Sequence, residues 1–143
     1  MKLREIMEMS MTDIEDVELK IKRNFSSIGI IINFTKHFGD RIVNDATDEK
    51  GFKRDNITPE ELLNTFDKLK DHHKQIFAEA RQFNDEVKRG EFEGVIMDIF
   101  KKINVPFVLE FNKNRGKFEL ICKTIMKRNN FHVKSKDHII TLK

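Results

Sequence analysis

Residues 105–128, VPFVLEFNKNRGKFELICKTIMKR, decide the fold. In the first seven, Val105, Phe107, Leu109 and Phe111 fall on one side and Val108 and Glu110 on the other, the period of two expected of a strand. KNRG, ending in Gly116, has the length of a hairpin connection. Beyond it Phe118, Leu120, Cys122, Thr124 and Met126 alternate with Glu119, Ile121, Lys123, Ile125 and Lys127. The spacing predicts that 105–111 pairs antiparallel with 118–126. If Phe118, Leu120 and Cys122 turn to the core, Lys123 and Lys127 stand on an open face beside Glu110 and Glu119.

Working outward, HIITLK (138–143) reads as a last strand and Ile28–Phe34 as a short β-rich segment. VIMDIFKKI (95–103) suits a short helix through Ile96, Ile99, Phe100 and Ile103, with an edge strand as the alternative for so short a run. Helical signals lie on the N-terminal side. Thr58, Pro59 and Glu61 form a capping box with proline at the first helical position. Leu62, Phe66, Leu69, Ile76, Ala80, Phe83 and Val87 then recur at spacings of three and four, and Gly90 is a natural stop. An earlier stripe, Leu3 to Ile21, predicts a helical arm over 1–25, with Thr12 and Glu15 marking a start near Asp13. His72 and His73 point a quarter turn apart and cannot easily share a metal ion. Together these readings give one α+β domain over 1–143, with the core from 28 onward. N-terminal helices pack on a C-terminal antiparallel sheet of about four strands.

The charge is uneven. The net is +3, but residues 101–143 hold eleven Lys/Arg against three Asp/Glu, whereas residues 1–20 hold three against six. A basic C-terminal part favours a polyanionic partner, nucleic acid first. The one cysteine, Cys122, excludes an internal disulfide and fits a reducing compartment. No Cys/His spacing suits zinc, no run is long enough to span a bilayer, and the acidic N-terminus is unlike a signal peptide. The expectation is a cytosolic protein, with no metal, cofactor or membrane partner.

One pair of residues carries chemistry. His37 and Arg41, four apart in FTKHFGDRI, share a face if the segment is helical. An imidazole and a guanidinium aimed at one point suit a phosphodiester.

FTKHFGDRI, ITPEELLNTFDKL, NVPFVLEFN and FELICKTIMKR together resemble small proteins of T4-like bacteriophages. They are also similar to the phage branch of the barnase/EndoU/colicin/RelE-like ribonuclease superfamily, over roughly residues 30–128. The resemblance implies helices against a four-stranded antiparallel sheet and a metal-independent endoribonuclease. His37 would act as acid/base, with Arg41 and Lys123 on the phosphate and Thr124 orienting it. Lys127, Arg128, Lys117 and Arg115 would bind flanking backbone, and His132 and His138 stand in reserve for the second proton transfer. The implied partner is RNA, ribosome-associated mRNA included, and the place is the host cytoplasm or the virion. The chain departs from RelE-like toxins in having no tyrosine. Barnase-like sites need a glutamate base, and neither Glu110 nor Glu119 is placed well enough to be assigned to it. A non-catalytic accessory protein that binds nucleic acid or a host protein through a basic sheet face is therefore the alternative.

Overall fold

The computed structural model of the chain describes residues 11–36, 38, 57–127 and 138–143. In chain order these form α1 (Met11–Ser26), β1 (Ile30–Phe34), α2 (Pro59–Asp71), α3 (His73–Gln82) and α4 (Asn84–Arg89), then β2 (Phe92–Asp98), β3 (Ile103–Asn112), β4 (Lys117–Cys122), β5 (Met126–Lys127) and β6 (His138–Leu142). The strands make one sheet in the order β1-β4-β3-β2-β6, with β5 beside β3. The α+β class and the hairpin hold: Phe111 faces Phe118 and Phe107 faces Cys122 across an antiparallel pair. The sheet differs from the expected antiparallel four strands. Among the described residues it has six strands, and both outermost ones pair in parallel, β1 with β4 and β6 with β2. VIMDIFKKI is not a helix either. Residues 92–98 are an interior strand between β3 and β6, and 99–102 form the turn into β3.

The hairpin contains a bulge. Between the pairs Phe107–Cys122 and Asn104–Met126, β3 spends two residues while the partner strand spends three. Such an extra residue reverses which face the following side chains take. Pro106 is the cause. Its carbonyl accepts from Lys123 N at 2.8 Å, so its nitrogen, on the same side of the strand, would be the next donor, and proline has none. Ile125, expected on the open face, is fully buried in the core, and Lys127 follows it to the helix side.

The helices cover one sheet face. Leu62, Phe66, Leu69, Ile76, Ala80 and Val87 are buried, as the stripe predicts, against Phe92, Ile96, Val105, Phe107, Leu109 and Leu120. The capping box forms as read: Thr58 Oγ1 accepts from Glu61 N at 3.1 Å, and Glu61 Oε1 accepts from Thr58 N. The stripe is carried by three helices rather than one, broken at His72 and Phe83. Each break is a single residue, so the apolar spacing survives it. His72 and His73 each donate a ring Nδ1–H to a carbonyl of the last α2 turn, Lys68 and Lys70. Gly90 ends α4 at φ 70°, the left-handed C-cap that a residue without a β-carbon adopts freely.

One buried charge ties the layers together. Asp98, at the end of β2, is 1% exposed. Its carboxylate accepts from Thr65 Oγ1 at 2.9 Å, from Lys68 Nζ at 3.2 Å and from Lys101 N at 3.1 Å. This fixes α2 to the β2–β3 turn, where Lys102 takes φ 59° and Phe100 stands 73% exposed with Lys68 Nζ 5.6 Å from its ring centre.

Candidate functional site

The candidate residues divide into three groups. His37, Arg41 and Arg128 lie outside the described residues, as does His132. Lys123 and Thr124 sit in the bulge. Lys123 Nζ meets Glu93 Oε1 of β2 at 3.4 Å on the sheet face opposite the helices. Lys127 Nζ donates to Glu61 Oε2 at 2.6 Å in the first turn of α2. Lys123 and Lys127 therefore stand on opposite faces, each beside a carboxylate, and the expected basic open face is not assembled around them. The bulge is the reason. Glu110 and Glu119 face each other across the hairpin. Glu119 accepts amide N–H bonds from Asn33 at 3.1 Å and Asn112 at 3.0 Å.

Glu61 has two tasks, capping α2 and holding Lys127. Burial alone would push its carboxyl up, but the hydrogen bonds from Lys127 and from the Thr58 N–H outweigh this and hold it below the usual carboxylate range. A lowered folded-state value stabilises above the unfolded one, near 4.3, and the contribution disappears as pH falls through the folded value. Glu61→Gln should therefore cost about 1 kcal/mol at neutral pH. The gap from wild type should close on acidification below about pH 4. Urea midpoints measured along a pH series check this, and a gap that widens in acid would refute it.

The bulge also receives the segment that leads to His37. Thr35 N donates to the Cys122 carbonyl at 3.1 Å, and its hydroxyl donates to the Lys123 carbonyl at 2.6 Å. The same hydroxyl accepts from Phe38 N at 3.3 Å, an N-cap contact, and residues 36 and 38 are helical. Phe38 is buried against Phe34 and Phe66. His138 lies elsewhere, on the helix side of β6. Its ring stacks on Phe92 with centres 4.0 Å apart, and its Nε2 donates to Glu86 Oε2 at 3.0 Å. Strands β2 and β3 separate it from the bulge.

The third group does converge. Arg115 and Lys117, from the β3–β4 turn and the start of β4, line a cleft of about 380 Å³ with Lys22, Arg23 and Ser26 of α1 and Ile30–Asn33 of β1. Among the described residues four cations line it and no carboxylate does. Among the described residues none of the four joins a salt bridge, although Glu18 interacts electrostatically with Lys22 along α1. Parallel pairing brings them together, because Ile30 lies opposite Phe118 and so sets the end of α1 beside the β3–β4 turn. Charge in the C-terminal part pointed to Arg115 and Lys117. Lys22 and Arg23 were missed, although KIKR (20–23) at the end of the first helical pattern is a visible signal.

Among the described residues no three His, Cys, Asp or Glu side chains are grouped to hold a metal, and no helix is long and apolar enough to cross a membrane. No family model matches the chain, and no curated protein or solved structure matches it either.

Proposed function

We propose that this chain is a binding protein for an anionic macromolecule, engaged through the cleft of Lys22, Arg23, Arg115 and Lys117. The convergence of four cations from two separate parts of the chain, with no carboxylate among the described lining residues, carries the reading. Cations on the walls of a concave surface reinforce one another and raise the local concentration of a polyanion. Their grip comes largely from releasing the counterions condensed on the partner, so it is salt-dependent. Titration of labelled single-stranded RNA and of poly-glutamate into the protein over a salt series tests this. Binding should weaken steeply with salt. In the double variant Arg115→Glu/Lys117→Glu the logarithmic salt slope for RNA should be shallower by about 1.4, for two lost phosphate contacts. Binding of neither polyanion at low salt would refute the proposal.

One observation favours a second reading, a metal-independent endoribonuclease. Thr35 fastens the start of the segment holding His37 and Arg41 to the bulge that holds Lys123 and Thr124. His37 would take the 2′-hydroxyl proton while Arg41 and Lys123 balance charge growing on the phosphate. Activity of this kind, and a bacteriophage source with action in the host cytoplasm or virion, rest on the resemblance of the quoted motifs. RNA incubated with the protein in EDTA should yield 2′,3′-cyclic phosphate ends, and His37→Ala should not cleave. Intact RNA under these conditions leaves the binding reading alone.

A further inference from the structure

The cationic cleft has a second wall besides its side chains: the outer edge of β1. Strand β1 ends the sheet order, and among the described residues no strand pairs with its far side. The direction of its backbone groups follows from one bond. Thr35 N donates to the Cys122 carbonyl, towards β4. Alternation along a strand then turns the amides of Ile31 and Asn33 towards β4 as well. The N–H and C=O groups of Ile30, Ile32 and Phe34 face outward, and of these three Ile30 and Ile32 line the cleft. Sheet edges are commonly protected by proline or by charged residues in the strand itself. IIINF has neither. The charges stand on its flanks instead, Lys22 and Arg23 on α1 and Arg115 and Lys117 by the β3–β4 turn.

We infer that the cleft takes an acidic, extended segment of a partner protein, added as a further strand along β1, an inference that rests on the polyanion-binding reading above. Three features select this occupant. An open strand edge presents acceptors as well as donors, and an extended polypeptide satisfies both, whereas a phosphate backbone brings acceptors alone. The four cations match carboxylates along such a segment. A second copy of this chain is disfavoured, because edge-to-edge pairing of two β1 strands would press the same eight cations together.

The test uses the full chain with a short capped peptide alternating Glu and Val, the same peptide N-methylated throughout, and a single-stranded RNA of equal charge. Amide hydrogen exchange is followed residue by residue. The unmodified peptide should slow exchange at Ile32 and Phe34 by about tenfold or more, with little change at Ile31 and Asn33, which already pair with β4. N-methylation, which removes the peptide's donors, should weaken binding by about tenfold or more. Arg115→Glu/Lys117→Glu should weaken the unmodified peptide by about tenfold. Strand addition is overturned if the N-methylated peptide binds as well as its parent, if Ile32 and Phe34 exchange unchanged, or if RNA binds more tightly than the peptide. In each of those cases affinity for a polyanion persists and the cleft reading stands. If neither the peptide nor the RNA binds at low salt, the cleft reading fails with it.

Discussion

Asp98→Ala should lower the unfolding free energy by about 3–5 kcal/mol, read as a large fall in the urea midpoint at unchanged slope. The carboxylate is buried and accepts from a hydroxyl, an ammonium and a backbone amide. Truncation leaves the Thr65 hydroxyl buried without its acceptor and frees the turn that holds Lys102 in the left-handed region. Lys68 suffers less, because its side chain is 24% exposed and can turn to water. The two deficits separate experimentally. Adding Thr65→Val removes the stranded hydroxyl, so the double variant should be more stable than the sum of the single changes predicts. Strict additivity would show that the Thr65 bond is not part of the cluster.

Gly94→Ala should cost roughly 3 kcal/mol, at the upper end of what overpacking a core does. A β-carbon on Gly94 would collide with the His138 backbone carbonyl and lie 2.8 Å from Phe107 Cζ. The Phe107 ring can shift, but the carbonyl belongs to β6, which pairs with β2 at this point. The strand itself must therefore give way. Phe107→Leu in the Gly94→Ala background should recover little, and the amides of β6 should lose most of their exchange protection. Protection retained along β6 would show that the strand adapts to the methyl group.

These two residues also explain why β2 was illegible in the sequence. Its inward positions are Phe92, Gly94, Ile96 and Asp98, so a missing side chain and a carboxylate break the alternation that marks a strand. Val95, on the other face, is buried too, and Ile96, Ile99, Phe100 and Ile103 imitate a helical stripe. The β3–β4 hairpin and the Thr58 capping box were legible because they depend on neighbours within a few residues. The bulge was not, since the donor missing at Pro106 acts on a different strand. Arg115 and Lys117 could be picked out by charge. Their meeting with Lys22 and Arg23 is set by the parallel pairing of β1 with β4, which no local pattern records.

That parallel pairing bears on how the chain is made. The central strands β2, β3 and β4 follow one another through short turns and can close soon after synthesis. β1 is different: Thr35 and its partner Lys123 lie 88 positions apart. Pairing across such a separation carries a loop-closure cost before any contact forms, which slows folding. During translation the uncharged IIINF segment leaves the ribosome long before residues 117–122 exist to receive it. At about 5–20 residues per second, it waits unpaired for several seconds, the interval in which a nascent chain is most open to chaperones and to aggregation.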